Sequence, residues 1–207
     1  MKKLLVFLFL LSLLSCSTTY YSNYYKYTIE KCIRSANDSF GELVYKTIDK
    51  DKETRVIISD DYFDIQITQI DGGLRVYLNN KSKVEVFIDW DKSWFIDDKG
   101  QKSILVRSFT EFLNPPHKQK PTQVYDGSRL DVYFNLSEYV SRDTNNNLKF
   151  ENLLNHEISN DKSMLEANSK DLLNKIISVN LALVHNEMTV NYQVDLKINE
   201  YGIYQKE

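Results

Sequence analysis

The sequence predicts an all-β protein, an antiparallel sandwich of two packed sheets, and three observations predict it. About nine or ten short segments alternate apolar and polar residues with the period of two that gives a strand one buried and one wetter face. Polar turn signals separate them, Asp71-Gly72-Gly73 and Asp126-Gly127 among them. Helical periodicity is scarce. Two packed sheets are the normal arrangement for that many strands in 207 residues. A closed barrel is the alternative use of the same strands.

Taken in order, Ile29, Cys32, Ile33 and Ala36 fall at helical spacing with Phe40 just beyond, which predicts a short N-terminal helix over residues 28–36 laid on the sandwich. Residues 42–48 and 53–59 flank the polar Asp49-Lys50-Asp51-Lys52 and read as a hairpin. Residues 62–70 alternate through Phe63, Ile65 and Ile67, and the Asp-Gly signal turns the chain into Leu74. Leu74, Val76 and Leu78, then Val84, Val86 and Ile88, alternate on either side of Asn79-Asn80-Lys81-Ser82, so a hairpin is expected there too. The other strands are expected to organise around this stretch. Trp90 and Trp94 follow, then a turn at Asp97-Asp98-Lys99-Gly100 and a short strand at 103–107. All three prolines lie in residues 114–121, a connection that cannot be a central strand. Residues 122–125 and 130–134 continue the β pattern around Asp126-Gly127, and residues 142–149 read as an exposed loop. Residues 153–177 mix periods, with a helical turn suggested after Ser169 by Leu172, Leu173, Ile176 and Ile177. Residues 179–184 and 188–198 form the closing hairpin, reversing at His185-Asn186-Glu187.

The N-terminus carries the strongest local signal. Met1-Lys2-Lys3 is a charged start, and residues 4–14 are apolar apart from Ser12. This stretch is too short for a membrane span, which needs about 20 residues, and fits a secretory h-region. Leu13-Leu14-Ser15-Cys16 then resembles a bacterial lipobox, which implies cleavage before Cys16 and a diacylglyceryl thioether on its sulfur, often with acylation of the new amine. The expected organisation is a lipoprotein signal peptide at 1–15, a lipidated cysteine with a Tyr-rich tether at 16–27, and a single sandwich domain at 28–207. Tyr20, Tyr21, Tyr24 and Tyr25 either rest at lipid headgroups or belong to a plain spacer. Localisation follows as the cell envelope, and the outer membrane if there is one, since Ser17 is not the Asp that enteric bacteria use for inner-membrane retention. With Cys16 lipidated, Cys32 has no partner for an internal disulfide and reads as a small buried residue. Removing 1–15 deletes two lysines, leaving 24 basic against 29 acidic residues, a net −5 from the formal −3. That balance argues against nucleic acid as a partner.

Two pieces are similar to a family of small bacterial lipoproteins of uncharacterised function. Leu78-Asn79-Asn80 with Ile88, Trp90, Asp91, Ser93, Asp97 and Gly100 matches its L-x-N … I-x-W-D-x-S … D-x-x-G stretch, and residues 179–183 with 192–198 look like its closing hairpin. The resemblance implies an immunoglobulin-like sandwich. It brings no activity and no catalytic residue.

A search for chemistry returns fragments. His156-Glu157 opens a zinc-protease motif, but Asn160 stands where the second His must be. Asp143, Asn145 and Asn147 mimic half of an EF-hand loop, with Leu148 in place of the bend glycine and Leu154 in place of the bidentate Glu. His117 and His185 fall in expected loops. Asp89 and Asp91 share a strand face, where they form a carboxylate pair or cap the next turn. No nucleophile elbow, P-loop or dinucleotide fingerprint is present, and no cofactor or metal is expected. Trp90 and Trp94 are the candidate contact residues, as a stacking platform for a sugar or an anchor for a protein. The competing role is plugging the end of the sandwich, the more so for Trp90, whose neighbours Val86 and Ile88 hold the buried phase. The expected function is a non-catalytic interaction or structural module, lipid-anchored, with an envelope protein as partner. The alternative is glycan binding through Trp94.

Overall fold

The computed structural model describes residues 19–35, 38–70, 73–107, 119–136, 140–142, 144, 148–150 and 158–206. Cys16 and the leader, His117, His156-Glu157, Ala36, most of the proline-rich connection and most of the 143–147 loop lie outside the described residues. The chain begins in β1 (Tyr20–Arg34), passes a 3-10 turn at Asp38–Phe40, and enters a meander of β2 (Val44–Lys50), β3 (Glu53–Ser59), β4 (Phe63–Ile70) and β5 (Gly73–Asn80). It crosses through β6 (Val86–Ile88) and a 3-10 turn at Trp90–Lys92 to β7 (Trp94–Ile96), β8 (Lys102–Arg107), β9 (Thr122–Val124) and β10 (Arg129–Leu136). The short β11 (Val140–Arg142), β12 (Leu148–Phe150) and β13 (Ile158–Ser159) precede the helix α1 (Lys162–Asp171) and the long closing hairpin of β14 (Ile176–His185) and β15 (Met188–Lys206).

The main path runs β13-β1-β15-β14-β7-β8-β10-β5-β4-β3-β2, with β6 joined to β14 and β9, and β11-β12 as a separate pair. It folds into two packed antiparallel sheets, one of them curled into a half-barrel. Strand β8 is the hand-over: Lys102, Ser103 and Ile104 pair with β7, while Leu105, Val106 and Arg107 pair with β10. The inner faces meet in one core. Val56, Ile58, Ile65, Ile67, Val76 and Leu78 come from β3–β5, and Val179, Leu181, Leu183, Val190, Tyr192 and Val194 from β14–β15. Each fully buried aliphatic side chain contributes about 1.5–3 kcal/mol, which makes the alternation on these strands decisive for their facing.

The sandwich expectation holds, as do the 44–59 and closing hairpins. The closing hairpin turns through Asn186 and Glu187, both at positive φ (48° and 65°), the geometry whose twist matches the flanking strands. Three expectations do not hold. No helix forms over residues 28–34, because they belong to β1 and pair with β15 as far as Arg34↔Tyr192. The Tyr-rich stretch is not a tether from Tyr20 onward, because Tyr20 pairs with Lys206 and Tyr25 and Tyr27 are buried. Register shifts at Lys26/Tyr27 and Ile29/Lys31 break the period of two, so that the apolar positions mimic a helix. Finally, Leu74 and Val84 do not belong to one hairpin. Both edges of β5 are occupied, by β4 and β10, so β6 joins the other sheet against β14 and β9.

Candidate functional site

Residues 88–100 form a frame in which most polar groups already have a task. Asp89 caps the 3-10 turn, its Oδ1 accepting from the Lys92 N–H at 3.3 Å, and its Oδ2 lies 3.1 Å from Lys92 Nζ. Asp91 Oδ1 accepts from the Gln119 N–H at 3.1 Å. Asp89 is therefore a turn cap, while Asp91 holds the segment before β9. Trp90 is 1% exposed, and its indole N–H donates to Thr122 Oγ1 at 2.8 Å, tying the turn to β9. Ser93, fully buried, donates to the Asp89 carbonyl at 2.8 Å and accepts from the Ala182 N–H at 3.0 Å. Asp97 Oδ1 accepts from the N–H groups of Lys99 (2.9 Å) and Gln101 (2.8 Å), closing a turn whose Gly100 has φ +80°. Asn80 is a further clasp: its amide nitrogen donates to the carbonyls of Val84, Val124 and Tyr125, and its oxygen accepts from Ser82.

Trp94 is the half-exposed member of the pair. It lies on the outer face of the first sheet, in register with Ile104 on one side and Asn180 on the other. Ile96 and the exposed Ile104 and Ile176 share that face, with Ser178 and Asp195 beside them. The polar groups bond one another: Asn180 Nδ2 donates to the Lys92 carbonyl (3.1 Å) and Asn191 Oδ1 (3.2 Å), while Ser178 and Gln193 donate to Asp195 (2.7 and 3.1 Å). The ammonium of Lys102 stands 4.6 Å from the indole centroid, a cation–π contact that covers part of the ring. The face is a flat aromatic and aliphatic patch with a fixed polar surround. It suits contact with a protein or a flat ligand that displaces Lys102.

The structure also assembles a cluster that the sequence did not reveal. Asp60, its side chain fully buried, accepts from Arg34 Nη1 (2.8 Å), the Tyr192 hydroxyl (2.6 Å) and the N–H groups of Tyr62 and Phe63 (2.9 Å each). Arg34 also donates to the carbonyls of Phe40 (3.2 Å) and Gly41 (2.8 Å). Burial, together with the bond to Asp60, pushes the Tyr192 phenol up. His185 is not a solvated loop residue. It ends β14, is 5% exposed, and packs among the rings of Phe40, Tyr62 and Phe63 at 5.1–5.8 Å, with neither ring nitrogen hydrogen-bonded. Burial holds its imidazole below the ordinary range, against the pull of the Asp60 carboxylate. These residues come from three stretches of the chain, residues 34–41, 60–63 and 185–192, and no local pattern announces them. Their arrangement is a buried ion pair, with Arg34 Nε left without a hydrogen-bond partner, that ties the end of β1 to the β3–β4 turn and the closing hairpin.

No family model, curated protein or solved structure matches this chain. Among the described residues no group of three or more His, Cys, Asp or Glu side chains could hold a metal ion, and no helix is long and apolar enough to cross a membrane. Cys32 is buried between the sheets, and burial pushes its thiol up to about 12, so it packs as a small apolar residue.

Proposed function

We propose that this protein is a lipid-anchored component of the bacterial cell envelope whose β-sandwich serves as a non-catalytic interaction or structural module. The observation that carries the reading is Leu13-Leu14-Ser15-Cys16 behind a charged start and an apolar stretch. The resemblance of residues 78–100 and 179–198 to small bacterial lipoproteins supports it. So does the employment of Asp89, Asp91, Ser93 and Asp97 as caps and clasps, which leaves that motif a structural purpose. The experiment is mass spectrometry of the N-terminal peptide from the full chain made in a lipoprotein-processing bacterium. We expect Cys16 as the first residue, carrying a diacylglyceryl group, and loss of that mass in Cys16→Ala. An N-terminal peptide with an unmodified thiol sinks the reading.

A second reading, glycan binding, is favoured by the half-exposure of Trp94 on a flat sheet face with Asn180 and Ser178 nearby. Base-free stacking of a sugar ring on such an indole would quench or shift its emission. Because Trp90 is buried, a fluorescence titration with envelope glycans reads Trp94 preferentially. A Trp94→Phe variant that responds like the parent removes this reading.

A further inference from the structure

We infer that one end of the molecule, built from the start of β1, the end of β15, β13 and the first turn of α1, is the face that lies against the bilayer. The inference rests on the lipid-anchor reading and adds which surface meets the lipid. It follows first from reach. Strand β1 begins at Tyr20, four residues after Cys16, and four residues span at most about 14 Å. The headgroup layer on each side of a bilayer is about 5–8 Å thick, so a sulfur bonded to glycerol holds Tyr20 within roughly one or two such layers of the surface. The fifteen residues of β1 put its Arg34 end about 46 Å from that point, beyond the reach of the anchor itself.

The chemistry of the near end fits the assignment. Tyr20 is 50% exposed, Ile158 51% and Met164 44%. Ile158 pairs with Ser22, two residues along the same face from Tyr20, and Met164 lies in the helical turn capped by Asp161 just after β13. Three exposed large side chains thus gather where the anchor emerges. Lysines accompany them: Lys206 opposite Tyr20, Lys162 at the start of α1, its ammonium 3.7 Å from a Glu166 carboxylate oxygen, and Lys52 with its ammonium 3.4 Å from the Tyr204 ring centroid. A tyrosine, two aliphatic tips and lysines on long stems match the level where apolar bodies meet phosphate. Of the tyrosines expected at the headgroups, Tyr20 is the exposed one, Tyr21 and Tyr24 are half-buried, with the Tyr24 ring lying across Gly202, and Tyr25 is buried.

The test uses the full, lipidated chain in vesicles of phosphatidylethanolamine and phosphatidylglycerol containing a headgroup-nitroxide lipid as quencher. On a Cys32→Ser background, a fluorophore is placed at Ile158→Cys, Met164→Cys or Tyr125→Cys. Tyr125 is exposed and lies near the far end, beside the Asn80 clasp. We expect severalfold stronger quenching at 158 and 164 than at 125, independently for the two near sites. Equal quenching at all three sites, with the protein floating with vesicles and Cys16 acylated, overturns this inference and leaves the anchor reading intact. Failure to float, with Cys16 unmodified, overturns both.

Discussion

Asp60 is a single carboxylate on which three parts of the chain converge, and it defines the most consequential side chain outside the aliphatic core. Its side chain is 0% exposed and that of Arg34 is 8% exposed. Asp60→Ala would leave a buried guanidinium uncompensated, and breaking such a pair costs about 3–5 kcal/mol. Urea unfolding of the variant should show a loss of that order. His185 gives a prediction in pH. Its folded imidazole titrates below 6.5, the ordinary value it regains when unfolded. The unfolded chain therefore binds the extra proton first, so stability is full above pH 6.5 and falls as pH drops below it. His185→Phe should keep the aromatic packing and flatten this slope, and denaturant midpoints at neutral and mildly acid pH measure it. None of this was legible in the sequence. His185 looked like a turn residue because it stands beside Asn186-Glu187, whereas it is the last residue of β14 and its ring is enclosed by Phe40, Tyr62 and Phe63. Trp90, by contrast, was legible, since the buried phase of Val86 and Ile88 carries through to it.

Among the elements, the closing hairpin contains a correctable strain. Glu187 holds φ +65°, a conformation that costs a non-glycine residue about 1–2 kcal/mol. Glu187→Gly should recover part of that, roughly 0.5–1 kcal/mol after glycine's greater unfolded-state entropy, read as a raised thermal midpoint. At the opposite edge, β2 has no buried residue and pairs on one side only, with β3. Hydrogen exchange should be fastest in β2 and slowest in the middle of β14, which is flanked on both sides and buried on both faces over residues 179–183. Elements were readable where the period of two survives, as in β3, β4, β14 and the first half of β15. Strand β1 was not, because two register shifts scramble its facing. The β5–β6 error has another origin. Periodicity reports which face a residue shows, not which strand lies beside it, and after Asn79 and Asn80 complete β5 the chain passes through Lys81 and Ser82 to the other sheet.

For the molecule as a whole, strand β8 makes the two sheets one cooperative object, since each half of it belongs to a different sheet and the core between them is continuous. Both tryptophans report on the first sheet, whereas far-ultraviolet dichroism reports on all strands. The two signals should give coincident urea transitions, and separate midpoints would mean the sheets unfold independently. The pairing of β1 with β15 has a mechanical consequence. The bonds of an antiparallel ladder lie across the strands, and this one extends from Tyr20↔Lys206 to Arg34↔Tyr192 with two register shifts along it. A load applied to β15 at Tyr192 and resisted in β1 at Tyr20 pulls the two strands lengthwise past each other, so the rungs share the force at once. A load between Tyr20 and Lys206 pulls neighbours apart and opens the rungs one after another. The same two strands are a strong strap in the first direction and a zip fastener in the second.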